Sequence, residues 1–279
     1  MATTRESLTA SFLSAGVRRG GILLAHSSLS AFGHVDGGAD AVIDALLDAL
    51  GPSGTLVIPT LSYLFCTRES PMFDVRTTPT NLGAIPAAFL RRANARRSEH
   101  PTHSCAAIGP AAADILGAHA ADTTPVGGGS PFRRVRDCGG QVAFLGCGTR
   151  CNTSIHGVEE TLSKTPAYLY SATPVEIEMT DAAGETRRVV HTRHGFDSTA
   201  QRYERLESLL PPSAISRGTA GRALCVVMDA RAMWDAAFVA LSADEGALTA
   251  PVVPGEEEGH HLVRGSNGAF RYTVGPTPT

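Results

Sequence analysis

Two short apolar runs on either side of one amphipathic segment constrain the fold of this chain more than any other feature. Residues 22–25 (Ile-Leu-Leu-Ala) and 55–59 (Thr-Leu-Val-Ile-Pro) have the length and composition of buried strands. Between them, residues 39–50 repeat apolar side chains at helical spacing, and Gly51 follows as a helix-ending residue. A strand, a helix and a second strand in this order predict the βαβ unit of an open, mainly parallel sheet.

Other segments extend this pattern along the chain. Residues 141–146 (Gln-Val-Ala-Phe-Leu-Gly) have the composition of another buried strand. Residues 174–193 alternate between apolar and polar side chains on both sides of a turn at 181–184, which is typical of an antiparallel hairpin. Helices are predicted over residues 5–19, 82–96, 198–210 and 230–241. We therefore predict an α/β fold, with a mainly parallel or mixed sheet flanked by helices and an antiparallel hairpin excursion around residues 170–195.

Composition and charge limit the functions that such a chain can have. No internal repeat or linker interrupts it, which predicts a single α/β domain over residues 1–279. The formal net charge is only −3, and the Lys and Arg residues do not form the basic stripe of a nucleic-acid-binding protein. No segment reaches the ~18 apolar residues of a membrane span, and the first residues resemble an amphipathic helix more than a signal peptide. We expect a cytoplasmic protein without nucleic-acid or membrane partners, whose six cysteines are free thiols.

A polar loop rich in hydroxyl groups follows the first predicted strand. It contains Ser27, Ser28 and Ser30, and the second predicted strand ends at Thr60. In open α/β sheets, ligands bind beyond the carboxyl ends of the strands. The loop at residues 26–33 and the segment that begins at Thr60 are therefore expected to lie on the same rim of the sheet.

The segment after the predicted strand 141–146 contains a possible acid–base pair. His156 and Glu159 are three residues apart, so they share one face if the segment is helical. A carboxylate in that position can accept a hydrogen bond from one imidazole nitrogen and leave the other nitrogen free to act as a base. The alternative interpretation is an ordinary helix start with polar capping residues.

A second group of histidines precedes another apolar run. His100 and His103 lie in a stretch that Pro101 holds extended, and with His156 they could surround a zinc ion. Histidines that only hold a loop in place would explain the same pattern. Cys147 and Cys151 are a weak zinc signal without a second pair, and we interpret them as two unpaired thiols.

Seven short segments occur in an order that is more specific than any of them alone. The most diagnostic is the segment 152–159 with its His-x-x-Glu spacing. The other six are His26-Ser27-Ser28-Leu29-Ser30 with Gly33, Gly37-Gly38-Ala39, Gly54-Thr55-Leu56-Val57-Ile58-Pro59-Thr60, Phe73-Asp74 with Thr78-Pro79 and Gly83, His100-Pro101 with His103-Ser104, and Ser130-Pro131-Phe132. This ordered set, from about Leu8 to Leu241, resembles the aminoglycoside 3-N-acetyltransferase family, which is distinct from the GNAT acetyltransferases.

The resemblance implies an enzyme that transfers the acetyl group of acetyl-CoA directly to an amine, most specifically the 3-amino group of an aminoglycoside antibiotic. It implies His156 as general base and Glu159 as its orienting partner. No metal is expected, because His100, His103 and His156 come without a clear carboxylate or thiolate ligand pattern. The expected partners are a small-molecule amine and CoA. The resemblance also implies two sets of binding residues: for the cofactor Ser27, Ser28, Leu29, Ser30, Gly33 and Ser104, and for the amine substrate Asp74, His103 and Glu160.

Three alternatives remain open on the sequence alone. The chain could acetylate an amine that is not an aminoglycoside, as an enzyme of the same family. It could be a zinc-dependent hydrolase that uses His100, His103 and His156. It could also be a module that binds an amine or a CoA thioester without catalysis.

Overall fold

The computed structural model describes residues 3–196 and 199–252, together with the backbone of two later strands at 259–264 and 270–275. The helices are α1 Arg5–Ser14, α2 Gly38–Leu50, α3 Ala84–Leu90, α4 Ala112–Leu116, α5 Pro131–Asp137, α6 Ser154–Glu159 and α7 Ala230–Ala243. The strands are β1 Ile22–Ser27, β2 Thr55–Pro59, β3 Met72–Asp74, β4 Arg96–Arg97, β5 Cys105–Ile108, β6 Gln141–Leu145, β7 Val175–Thr180, β8 Thr186–His191, β9 Thr199–Gln201, β10 Ile215–Ala220, β11 Ala223–Asp229, β12 Thr249–Pro251, β13 Gly259–Arg264 and β14 Phe270–Gly275. Short 3₁₀ helices cover Leu29–Phe32, His119–Ala121, Thr149–Cys151, Tyr203–Ser208 and Pro212–Ala214.

A seven-stranded mixed sheet organises the fold, in the order β10-β11-β6-β1-β2-β5-β4. Strand β1 lies in the middle and pairs in parallel with both β2 and β6. The remaining neighbours in this sheet pair antiparallel. The prediction of an α/β fold around a mainly parallel or mixed sheet is therefore confirmed, with the parallel strands at its centre.

Apolar side chains cover both faces of this sheet, which is why its central strands are continuous apolar runs. Leu23 belongs to the cluster that packs beneath α1 and α2, whereas the next residue, Leu24, belongs to the cluster on the opposite face, beneath α7. Both side chains are fully buried. Helix α2 ends at Gly51, whose φ of 73° is a left-handed conformation that glycine adopts readily.

The predicted hairpin is also confirmed. Strands β7 and β8 pair antiparallel from Val175↔His191 to Thr180↔Thr186. At the turn, Asp181 accepts hydrogen bonds from the backbone N–H groups of Ala183 and Glu185, both at 2.9 Å. Strand β3 adds to β7 in parallel, so the hairpin forms a separate three-stranded sheet.

Three helix predictions need correction. The helix predicted over residues 5–19 ends at Ser14. The segment predicted as a helix at 198–210 contains strand β9 and the 3₁₀ helix Tyr203–Ser208 in its described part. The apolar spacing of this segment is helical, but its backbone pairs with a distant strand instead. Strand β9 pairs with β12, and the backbone N–H of Arg202 donates to the carbonyl of Leu248. The helix predicted at 82–96 is only α3, since the chain turns after Leu90 so that β4 can pair with β5.

Within the described residues, no helix is both long and apolar enough to cross a membrane.

Candidate active site

The carboxyl ends of β1, β2 and β6 lie along one edge of the central sheet, because these three strands run parallel. The antiparallel strand β5 begins at the same edge, where Cys105 pairs with Pro59. The backbone N–H of Thr60 donates to the carbonyl of Ser104 at 2.8 Å, and that of Ser28 donates to Leu145 at 2.9 Å. The sequence prediction that the 26–33 loop and the Thr60 segment share one rim is therefore confirmed.

Helix α6 starts at this rim and carries the predicted acid–base pair. It follows β6 after the 3₁₀ helix 149–151, so the local sequence order delivers its side chains directly beyond the sheet. Nδ1 of His156 lies 2.9 Å from Oε2 of Glu159. The side chain of Glu159 is fully buried and that of His156 is 7% exposed. The carboxylate therefore fixes one imidazole nitrogen, and Nε2 is the nitrogen that remains for proton transfer.

Two tyrosines that the sequence reasoning missed complete this pair. The hydroxyl of Tyr203 lies 3.0 Å from Nδ1 of His156 and 3.2 Å from Oε1 of Glu159. The hydroxyl of Tyr168 donates to the same Oε1 at 3.0 Å. Neither tyrosine belongs to helix α6. Both lie later in the chain, and the fold brings them back to the carboxylate of Glu159. No local spacing pattern could therefore have indicated them.

Further imidazole rings pack around His156. The ring centroid of His194 lies 4.2 Å from that of His156, and the centroid of His103 lies 4.8 Å from that of His194. Burial, followed by the neighbouring histidines, holds the pKa of both His103 and His194 well below the ordinary value of 6.5. The ring of Phe196 closes the group, with its centroid 5.2 Å from that of His156. The predicted residue His103 therefore belongs to this neighbourhood as a neutral side chain.

His100 has a different role from the one that the zinc hypothesis requires. Its Nδ1 accepts hydrogen bonds from the backbone N–H groups of Thr102 and His103, so Nε2 carries the proton and donates to the carbonyl of Thr124 at 3.0 Å. Both nitrogens are thus used by the fold. Over the described residues, no group of three or more His, Cys, Asp or Glu side chains has a geometry suited to a metal ion. The geometry gives the zinc alternative no support.

The predicted cofactor loop lies at the rim in a compact conformation. The hydroxyls of Ser28 and Ser30 are 3.2 Å apart, and Leu29 begins the short 3₁₀ helix. Gly33 ends that helix with a φ of 77°, and a Cβ there would come within 2.9 Å of Cδ of Arg222, so the position favours glycine. The hydroxyl of Ser27 is buried and has no hydrogen-bond partner within the described residues. An unpartnered buried hydroxyl of this kind is available to a ligand.

Ser104 lies near the same rim but is enclosed by protein. Its Oγ donates to the carbonyl of Thr60 at 2.9 Å and accepts from Nε of Arg97 at 3.0 Å. The Arg97 guanidinium also donates to Ser62 and Thr78 and lies over the ring of Phe73. These bonds use the serine hydroxyl in a buried network. Its assignment to the cofactor stays a prediction.

The two predicted acidic substrate residues also have protein partners. Asp74 pairs with Arg76 at 2.8 Å, and the hydrogen bond from this guanidinium lowers the pKa of the carboxyl to about 2. Glu160 accepts from the hydroxyl of Thr124 at 2.6 Å and from the backbone N–H of Val126 at 2.9 Å. Burial raises the pKa of Glu160. Their contact with a substrate amine likewise stays a prediction.

Comparison with known proteins places this geometry in a family. The family model for aminoglycoside 3-N-acetyltransferase matches residues 24–242. Aminoglycoside N(3)-acetyltransferase IV of Salmonella sp is 38% identical over 164 residues, which cover 58% of this chain and 60% of that protein. Aminoglycoside N(3)-acetyltransferase III of Serratia marcescens is 36% identical over 172 residues, covering 56% and 64%. The matched stretch is thus less than two thirds of each relative.

Solved structures agree with the family model. A mutant of aminoglycoside acetyltransferase AAC(3)-IVa in complex with a gentamicin superimposes with a TM-score of 0.75 at 29% identity, over 89% of this chain and 92% of that one. The binary complex of AAC-IIIb with CoASH has a TM-score of 0.76 at 22% identity, over 87% and 97%, and supports the fold alone. The family resemblance seen in the sequence is confirmed, and the chain belongs to the aminoglycoside 3-N-acetyltransferase family.

Proposed function

We propose that this protein is an acetyl-CoA-dependent N-acetyltransferase whose acceptor is the 3-amino group of an aminoglycoside. The observation that carries the proposal is the buried His156–Glu159 hydrogen bond at the rim of the sheet, in a chain of this family. The names of the Salmonella and Serratia relatives, and the gentamicin complex of AAC(3)-IVa, favour an aminoglycoside as the acceptor. The CoASH complex of AAC-IIIb favours acetyl-CoA as the donor.

In the proposed reaction, the acceptor reacts as the neutral amine, and an acceptor that arrives as an ammonium first releases one proton to solvent. Nε2 of His156 then removes a proton from the amine nitrogen as that nitrogen attacks the thioester carbonyl. The new C–N bond forms, the C–S bond breaks, and the proton neutralises the departing CoA thiolate. Glu159 keeps Nδ1 in place and stabilises the imidazolium that forms transiently. A base in this position typically contributes about 10²–10⁴-fold in rate.

For the cofactor, we propose the loop that contains Ser27, Ser28, Leu29, Ser30 and Gly33, with Ser104 behind it. The unpartnered hydroxyl of Ser27 supports this assignment, because a buried donor without a partner is stabilised when a ligand oxygen reaches it. It could donate to the thioester oxygen as negative charge develops there.

For the acceptor, we propose contacts with Asp74, His103 and Glu160. The ring of His103 is in the imidazole group around the base, which supports a place near the reacting amine. An aminoglycoside carries several positive charges, so carboxylates favour its binding electrostatically. For Asp74, this contact would have to compete with Arg76.

Thiol release from acetyl-CoA, measured with a panel of aminoglycosides and simple polyamines, tests the proposal. We expect release that depends on an aminoglycoside, together with a product heavier by one acetyl group and unreactive at its 3-amino position. Thiol release with polyamines but not with aminoglycosides would show that the protein acetylates a different class of amine. Absence of release with every amine, from protein that binds CoA, would overturn the enzymatic function.

A further inference from the structure

The carboxylate of Glu159 is fully buried, and its hydrogen bonds within the described part of the chain come from one imidazole and two phenols. The donors are His156 Nδ1, the hydroxyl of Tyr203 and the hydroxyl of Tyr168. A buried carboxylate without donors would take up a proton instead of remaining ionised. The two phenol hydroxyls therefore donate the hydrogen bonds that water molecules donate to an exposed carboxylate.

The hydrogen positions around Tyr203 follow from this arrangement. With Glu159 ionised, Nδ1 of His156 carries one proton, which it donates to Glu159 and shares with the hydroxyl oxygen of Tyr203, 3.0 Å away, as a second acceptor. Its own proton is then directed to Glu159, whose two carboxylate oxygens lie 3.2 and 3.4 Å away. Burial and the neighbouring carboxylate raise the pKa of Tyr203 well above its ordinary value, so the proton stays on the phenol.

We propose that Tyr203 and Tyr168 are positioning residues of the acetyl transfer, which keep Glu159 ionised and His156 protonated at Nδ1, with Nε2 free as the base. This inference rests on the proposed function. Tyr203 touches both members of the pair, whereas Tyr168 touches only Glu159 and shares its single proton with the carbonyl of Glu245 at 3.2 Å. Tyr203 is thus expected to have the larger effect.

Replacing Tyr203 with Phe removes the hydroxyl and keeps the ring that fills the core. We expect kcat to fall roughly tenfold, the scale of one lost hydrogen bond to a charged group, while KM for acetyl-CoA stays the same. With one donor fewer, Glu159 becomes more basic and stabilises the imidazolium more strongly. The ascending limb of the pH–rate profile should therefore move to higher pH in Tyr203→Phe, and less so in Tyr168→Phe.

Tyr170→Phe is the matched control, because the hydroxyl of Tyr170 is hydrogen-bonded to the adjacent carboxylate of Glu160. It should leave the pH–rate profile unchanged. A Tyr203→Phe profile that stays in place, or moves to lower pH, would overturn the positioning role even if kcat fell. Absence of amine-dependent thiol release from the wild-type protein would instead overturn the proposed function, so the two failures can be told apart.

A separate feature of the same rim is a close pair of thiols. Sγ of Cys151 lies 3.2 Å from Sγ of Cys147 and 3.1 Å from the carbonyl of Gly148. Both side chains are partly exposed, whereas the thiols of Cys66, Cys105 and Cys225 are buried. A disulfide needs a sulfur–sulfur distance of about 2 Å, so a shift of roughly 1 Å would allow the bond.

We infer that Cys147 and Cys151 form an oxidisable dithiol, a modification site on the loop that leads into α6. With a low-molecular-weight disulfide as oxidant, both S–H bonds break and one S–S bond forms. The two hydrogens and two electrons pass to the oxidant, which is released as two thiols. The same loop binds the segment that carries Tyr203, since Thr149 donates to Glu207 and Arg150 to the carbonyl of Gln201. Closure should therefore reduce turnover.

Oxidised glutathione is the probe, applied to the intact protein and followed by mass spectrometry. We expect a mass lower by two hydrogens, a peptide that links residues 147 and 151, and a loss of turnover that dithiothreitol reverses. Cys151→Ser should abolish these changes, whereas Cys138→Ser, at an exposed thiol, should not. Only glutathione adducts, or a disulfide that includes Cys225, would overturn the inference.

Discussion

The surroundings of His156 and those of His100 show how one residue type is used in two ways within the same protein. Both side chains are buried, but Nδ1 of His156 meets a carboxylate, whereas Nδ1 of His100 accepts from two backbone N–H groups. The first arrangement favours a proton on the ring when charge develops. The second requires a neutral ring. The difference lies in the partner atoms and not in burial, and it separates the proposed base from a residue that holds a loop in place.

The largest expected effect is on turnover. His156→Ala should lower kcat by about 10²–10⁴-fold, because it removes the proposed base. The Kd for acetyl-CoA should change little, since in the proposed reaction the imidazole contacts the acceptor amine and not CoA. Thiol release under saturating substrates measures the first quantity, and calorimetric titration measures the second. His100→Asn is the control, because its amide oxygen can replace Nδ1 as the acceptor; if it slowed turnover as much as His156→Ala, the comparison would fail.

Glu159→Gln should have a smaller effect than loss of the histidine. The amide can still accept a hydrogen bond from Nδ1, but it carries no charge to stabilise the imidazolium. We expect a loss in kcat of about ten- to hundredfold, the scale of a hydrogen bond to a charged group. Steady-state kinetics with an unchanged melting midpoint would support this result. Wild-type turnover would show that the carboxylate is not needed for orientation.

For stability, the order of the two histidines should be the opposite of their order for turnover, so that the loss of His100 has the larger effect. His100→Ala removes the acceptor of two backbone N–H groups and the donor to Thr124, which should lower the free energy of unfolding by about 2–4 kcal/mol. His156→Ala should cost less, because Glu159 keeps the hydroxyl donors of Tyr168 and Tyr203 when the imidazole is removed. Urea unfolding of both variants at the same pH checks this order. Equal losses would mean that the two environments do not differ as described.

The pH dependence of stability sharpens the same comparison. Burial lowers the pKa of His100 from 6.5 to about 3 in the folded state. Between these values the unfolded chain binds the proton and the folded chain does not, so stability is lost as pH falls below about 6.5. One such group contributes up to about 1.4 kcal/mol per pH unit. His100→Asn should reduce the slope of unfolding free energy against pH over this range, and an unchanged slope would contradict the low pKa.

The smallest expected effect is on the KM for the amine, and it concerns Asp74, the partly exposed carboxylate that pairs with Arg76. If Asp74 contacts the acceptor, Asp74→Asn should raise KM for the amine about two- to fivefold, which is the scale of an exposed ion pair. The KM for acetyl-CoA should not change. Arg76→Gln, which frees the carboxylate, should act in the opposite direction. A KM for the amine that is unaffected by both changes would remove Asp74 from the acceptor site.

Local sequence patterns predicted the parts of this molecule that depend on near neighbours. The βαβ unit, the hairpin at β7 and β8, and the shared rim follow from periodicity and from the parallel pairing of strands. The contact between His156 and Glu159 follows from three-residue spacing on a helix. In each case the interacting residues are close in the sequence, or a general rule of strand pairing brings them together.

The remaining features depend on contacts between distant segments. Tyr203 reaches Glu159 across 44 positions, and it does so because β9 and the following 3₁₀ helix replace the helix that periodicity predicted. Arg97 donates a hydrogen bond to Ser104 through a tertiary contact, and Arg76 pairs with Asp74 within a turn. Neither contact is part of a sequence motif. A sequence motif can therefore indicate which segments form the site, but the partners of each side chain follow only from the fold.

The pH dependence of kcat/KM for the acceptor, in wild type and in His156→Ala, tests the central claim most directly. With His156 as the base, the wild-type profile should rise with a slope of one as the imidazole loses its proton, and then level off. The residual activity of His156→Ala should lack that ascending limb, while the control His100→Asn should keep it. An ascending limb that persists unchanged in His156→Ala would show that another group accepts the proton, and the account of this site would be wrong.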